Sequence, residues 1–292
     1  MKRRDIKEMG KIGTPFRETD YSEVYKLKNG SYLKIFKPKM MSLCKTAGVS
    51  LKEKITSLEP INEVPEIIMP DIAVTERNKF VGYVMPPAKG ISLMTYYSEK
   101  TNDQLLDLQL YAEEFSGLED VVRRSNQKGI VFPDLLTFSN IFISDKDGRI
   151  SYNFIDVDGI QFKPEKEHGC VQISKRLGNE FQYHTSKYSK SLAIFNSNLD
   201  KKSLFLAYFM IVCGFNIQQL IDSKYGEDKV RTFDAIMNDL NVPRQLKEIA
   251  EIALFDDNKD NLYLGGLVDE IADKYQLQVF SKNENIRQFV RK

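Results

Sequence analysis

The 292 residues are 42% hydrophobic and 28% charged, which supplies a sizeable core and carries none of the compositional marks of disorder. Lysine and arginine number 42 against 41 acids, a net charge of +1, so nothing draws the chain generally to nucleic acid or to an anionic membrane. Cys44, Cys170 and Cys213 lie far apart with only His168 and His184 to join them, which argues against a disulfide framework and a structural zinc site.

Met1-Lys2-Arg3-Arg4 is basic like the start of a signal peptide, but Asp5, Lys7 and Glu8 stand where an apolar core is needed, so a cytoplasmic protein is expected. Val24–Leu27 and Ser31–Phe36 are β-rich and joined by Lys28-Asn29-Gly30. Asn-Gly supplies the positive φ angles of a tight turn, so the pair predicts an antiparallel hairpin. Leu51, Ile55 and Leu58 share one helical face, and Pro60 ends that helix. Strands are expected from Glu66 to Val74 and from Phe80 to Met85.

Between Thr101 and Lys128, Leu105, Leu108, Tyr111, Phe115, Leu118 and Val122 recur at helical spacing, with Thr101 as N-cap and Gly129 as stop. Ile141–Ile143 and Ile150–Ile155 flank Asp145-Lys146-Asp147-Gly148 and predict a second hairpin. An irregular stretch follows from Gly159 to Asn198, and the remainder reads as helix. The apolar run Ser203–Gly214 is too short for the roughly 20 residues of a bilayer span and predicts a buried helix.

Four separated segments carry chemistry. Lys34 lies within Leu33-Lys34-Ile35-Phe36, where a strand can hold its ammonium rigidly toward phosphate oxygens. Gly82-Tyr83-Val84-Met85-Pro86-Pro87-Ala88 runs from a strand into a stiff connection. Asp134 and Asn140 share the short stretch after the long helix, where both residue types also form turns and caps. Asp156-Val157-Asp158-Gly159 directly follows an apolar strand and offers hard oxygen ligands suited to magnesium.

In this order and near this spacing, the segments resemble the protein kinases, and the resemblance spans most of the chain. It implies an α+β, bilobal protein kinase-like fold, with an antiparallel-sheet N-lobe over residues 1–86 and a mainly helical C-lobe over residues 87–292. By that match Lys34 holds the ATP phosphates and pairs with a helical glutamate, Glu53, with Glu59 as the alternative. Met85 stands behind the adenine, while the carbonyl of Pro86 and the N–H of Ala88 bond its edge. Asp134 is the catalytic base, and Asn140 and Asp156 are the Mg2+ ligands, Asp156 being chosen ahead of Asp158. Asp200 opens the central helix of the large lobe and braces the catalytic-loop backbone, while Val242–Leu254 and Leu264–Tyr275 supply the closing helices.

The chain also departs from the pattern. Arg17, Thr19 and Ser22 replace the three glycines of the phosphate loop, Phe132-Pro133 replaces His-Arg, Leu136 replaces a lysine, and no Ala-Pro-Glu precedes Asp200. The resemblance implies an ATP- and Mg2+-dependent phosphotransferase, with a divergent serine/threonine protein kinase acting on a protein substrate or partner as the favoured reading. A nucleotide-binding pseudokinase and a small-molecule phosphotransferase of the same fold are the alternatives.

Overall fold

The computed structural model describes residues 1–10, 12–46, 50–57, 61, 63–98, 108–132, 135, 138–146, 149–162 and 197–212, with residues 234, 235, 238, 247, 248, 251 and 252. Their architecture is mixed α and β around a six-stranded sheet. Its strands are β1 (Lys2–Asp5), β2 (Arg17–Glu18), β3 (Ser22–Lys26), β4 (Tyr32–Phe36), β5 (Ile72–Glu76) and β6 (Lys79–Met85), in the order β1-β5-β6-β4-β3-β2. Neighbours are antiparallel except for β1 and β5, which run parallel.

Two turns set the register. At the predicted Lys28-Asn29-Gly30 turn, Asn29 Oδ1 accepts the Ser31 N–H at 3.1 Å, and the Leu27 N–H donates to the Ser31 carbonyl at 2.8 Å. Between β5 and β6, Arg77 and Asn78 have φ of 49° and 65°, the pair of left-handed residues that a two-residue hairpin turn demands.

Alternation along the strands then sorts the side chains between two faces. Leu33, Val74 and Val84 form a core on one face, beneath Ile6, Met9 and Ile12 from the N-terminal segment. On the other face, one cross-strand row runs Arg17, Val24, Lys34, Tyr83 and Ala73 in register. Gly82 belongs in β6 because a Cβ there would lie 2.0 Å from the Lys34 carbonyl oxygen. That space is what lets β6 draw close to the lysine-bearing strand.

Helix α1 (Pro38–Thr46) is an addition to the elements expected from sequence. Its proline occupies the first helical position, where the missing N–H has no partner to lose. Helix α2 (Leu51–Ser57) is the predicted one; it buries Leu51, Lys54 and Ile55 and packs on the turn Val157–Gly159. The expected strand Glu66–Val74 is divided. Ile67 only bridges to Phe154, whose N–H donates to the Glu66 carbonyl at 2.7 Å, and β5 begins after Pro70, which has no N–H for a ladder.

Beyond Met85 come β7 (Ile91–Ser92), α3 (Leu93–Ser98), α4 (Leu108–Gln127), β8 (Ile130–Val131), β9 (Ile141–Lys146), β10 (Arg149–Phe154), β11 (Gln161–Phe162) and α5 (Ser197–Val212). Strands β10-β9-β7 make one small sheet and β11-β8 another. The second predicted hairpin is β9–β10, and the predicted long helix is α4, with residues 101–107 of that expectation outside the described residues. The closing helices expected over 242–254 and 264–275 also lie outside them, apart from helical residues 247, 248, 251 and 252. Gly90, at φ +83°, lets the chain from β6 seat on β9, because a Cβ there would meet the Ile143 carbonyl oxygen at 2.0 Å. Among the described residues no helix is long and apolar enough to cross a membrane.

Candidate functional site

Lys34 rises from β4 on the face opposite the Leu33 core and is 4% exposed. Its ammonium contacts Asp156 Oδ1 and lies 2.8 Å from Asp158 Oδ1. The hydroxyl of Tyr83, Cα partner of Lys34 on β6, donates to the same Asp158 oxygen at 2.8 Å. Phe36, two residues on from Lys34, packs edge to face on the Tyr83 ring at 5.9 Å.

Both carboxylates come from the turn after β10. Asp156 has φ 69° and ψ 48°, the left-handed region that aspartate tolerates better than most residues. The turn so made sends Val157 into full burial and brings Asp156 and Asp158 onto one ammonium. The two are not equivalent, since the Asp158 side chain is 9% exposed and that of Asp156 is 36% exposed.

The charges follow from this packing. Burial alone would lower the Lys34 ammonium, but the adjacent Asp156 and Asp158 carboxylates hold it above the usual lysine range. Burial works against Asp158 as well, yet the Lys34 ammonium, the Tyr83 hydroxyl and the charge of Lys54 keep its carboxyl below the ordinary value. Partial burial, together with the charge of Asp158, pushes Asp156 upward against the pull of Lys34. Burial and the Asp158 charge raise Tyr83 well above the usual tyrosine value, so its hydroxyl stays a donor.

Asn140 ends a short 3-10 turn, Phe138–Asn140, and is buried. Its carbonyl accepts the Ile155 N–H at 2.9 Å, which ties it to the residue preceding Asp156. Phe132, Leu135, Asn140, Phe154 and Asp156 line a common recess of about 20 Å³, room for a water-sized group. The structure therefore brings Lys34, Asn140 and Asp156 to one place. Among the described residues no cluster of three His, Cys, Asp or Glu could hold a metal alone. An asparagine amide oxygen and a carboxylate are hard donors of the kind magnesium accepts, and Asn140 and Asp156 line the same recess.

Glu53 is not brought to Lys34. It is exposed on the outer face of α2, while Leu51, Lys54 and Ile55 turn inward at helical spacing. A cation, Lys54, therefore stands on the side where the sequence places an anion, and Asp158 and Asp156 take the part expected of Glu53. Met85 is buried at the end of β6 opposite Tyr32, and the half-buried Pro86 and Ala88 follow it. The Lys89 N–H donates to Asn153 Oδ1 at 2.8 Å, fixing this connection on β10.

At the β2–β3 tip the Thr19 hydroxyl accepts the Tyr21 and Ser22 N–H groups at 3.2 and 3.0 Å. That side chain closes the tip, so the backbone donors that glycines would present are engaged internally. Arg17, at the start of the cross-strand row, reaches Ser139 Oγ at 3.2 Å beside Asn140.

Pro133 and Asp134 lie outside the described residues, and Phe132, just before them, is described. Asp200, in the first turn of α5 and fully buried, accepts the Phe132 N–H at 2.9 and 3.0 Å and the Asn126 Nδ2 at 2.7 Å. The expected brace is thus present. Burial raises the Asp200 carboxyl to about 7 against the pull of these donors.

Sequence reasoning missed Tyr83 and Lys54 and ranked Asp158 second. The one available signal was parity, since in the paired strands Tyr83 shares the face of Lys34 and Met85. No protein-family model and no curated protein sequence matches the chain.

Proposed function

We propose that the chain is an ATP- and magnesium-dependent phosphotransferase of bilobal, protein kinase-like architecture, most simply a divergent serine/threonine kinase of the cytoplasm acting on a protein. The supporting observation is the convergence of a strand-borne, charged lysine with Asp156 and the neighbouring Asn140, segments more than a hundred residues apart in sequence. On this reading the division falls near residue 86, with the six-stranded sheet as the smaller lobe.

Lys34 would hold the phosphates, the backbone at Pro86 and Ala88 the adenine edge, with Met85 behind it, and Asn140 and Asp156 the magnesium ion. The bound magnesium nucleotide supplies the transferable phosphoryl group and neutralises its charge. Asp134 orients the acceptor hydroxyl and takes its proton. Asp200 fixes the backbone entering that loop through the Phe132 N–H.

Incubating the full chain with labelled ATP and magnesium or manganese, alone and with candidate proteins, followed by mass spectrometry, tests this reading. Phosphate transfer that disappears in Asp134→Ala is the expected result. Nucleotide binding without any transfer would replace it with the pseudokinase reading, which the Thr19-closed tip favours.

A further inference from the structure

We propose that Asp158 and Tyr83 are positioning residues that keep the Lys34 ammonium aimed at the phosphates, with Asp156 as its exchangeable partner. This rests on the phosphotransferase reading and names the part of the site that would stand in for a helical glutamate.

Three observations converge. Lys34 and Tyr83 are directly paired on adjacent strands and both bond Asp158 Oδ1 at 2.8 Å. Tyr83 is fully buried, and Phe36 packs against its ring, so the hydroxyl is delivered from a rigid platform. Glu53, the helical glutamate expected to pair with Lys34, is exposed, and its alternative Glu59 lies outside the described residues.

Asp156 differs in each respect. Its side chain keeps 36% of its surface, its backbone is left-handed, and it borders the recess shared with Asn140. An ammonium has three N–H donors. Were a metal ion to take Asp156, the bond to Asp158 would remain and the other donors would be left for phosphate oxygens.

The test is calorimetric titration of the full chain with ATP and with adenosine, each with and without magnesium. Tyr83→Phe keeps the ring and removes only the hydroxyl. It should weaken ATP about five- to tenfold, leave adenosine unchanged, preserve the ratio of ATP affinities with and without magnesium, and have no effect in a Lys34→Met background. Asp158→Asn should behave alike, whereas Asp156→Asn should remove the magnesium-dependent gain. Equal weakening of ATP and adenosine by Tyr83→Phe, or the same weakening in Lys34→Met, overturns the positioning role and leaves the phosphotransferase reading standing. A wild-type chain that binds no ATP with either magnesium or manganese overturns that reading and the inference with it.

Discussion

Replacing Asp200 by asparagine separates two effects that its burial joins. The carboxyl titrates at about 7 in the folded chain against an ordinary 3.8, chiefly because burial disfavours its charge. A folded state that holds a proton more tightly than the unfolded state is favoured below the unfolded value and loses that advantage as pH rises through the folded value. Stability should therefore fall between about pH 4 and pH 7, by up to ~4 kcal/mol at ~1.4 kcal/mol per pH unit. Asparagine carries no charge and can still accept the Phe132 N–H, so Asp200→Asn should flatten this part of the pH profile. Asp200→Ala abandons the Phe132 and Asn126 donors in a fully buried place and should cost about 2–4 kcal/mol at pH 5 and less at pH 7.5, where the wild type has lost the advantage of its bound proton. Urea unfolding followed by far-ultraviolet circular dichroism at pH 5 and pH 7.5 measures both. Equal pH slopes in wild type and Asp200→Asn would refute the assignment of that slope to Asp200.

In thermal-shift assays, magnesium ATP at about a hundred times its Kd should stabilise the wild type by about 2.7 kcal/mol. Asp156→Ala should lose the magnesium-dependent part of that shift, and Asp134→Asn should keep it; if Asp158→Ala alone removed the metal dependence, the two aspartates would exchange roles. Gly90→Ala forces a Cβ onto the Ile143 carbonyl at φ +83° and should destabilise by about 3 kcal/mol, read as a lowered midpoint in the same unfolding assay. A midpoint unchanged by Gly90→Ala would mean that the β7–β9 contact opens without consequence.

Periodicity and turn chemistry made the sheet and the two hairpins legible, because Asn29-Gly30 and the β-rich runs act within a few residues of one another. The N-terminal strand β1 was not legible, since Lys2-Arg3-Arg4-Asp5 carries no apolar alternation and is held by parallel pairing with β5, about 70 residues away. Nor was α1, whose signal is one proline at a position that reads equally well as a strand end. At the site, Lys34, Asn140 and Asp156 were singled out by resemblance to the protein kinase pattern, and the fold places Lys34 against Asp156 and Asn140 on the recess that Asp156 borders. Glu53 was misplaced because its helix has two candidate inward residues side by side, and tertiary packing on the Val157–Gly159 turn selects Lys54. Asp158 and Tyr83 could not be ranked from the chain, because their importance arises from one oxygen shared across a strand pair and a distant turn.

The departures from the kinase pattern fit together once that shared oxygen is considered. A phosphate loop rich in glycine recognises anions through backbone N–H groups, and its dipoles carry no net charge. Here the tip engages those groups with the Thr19 hydroxyl, so on the proposed reading recognition would pass to side chains on one cross-strand row, with Arg17 at one end and Lys34 and Tyr83 further along it. A buried ammonium such as that of Lys34 needs an opposing anion, and the exposed Glu53 does not supply it. Two aspartates on a tight turn, one buried and bonded by Tyr83 and one partly exposed beside Asn140, meet that need and still leave an oxygen for metal. On the proposed reading, the lost glycines and the outward Glu53 are therefore one adaptation, in which phosphate binding moves from loop backbone to sheet side chains.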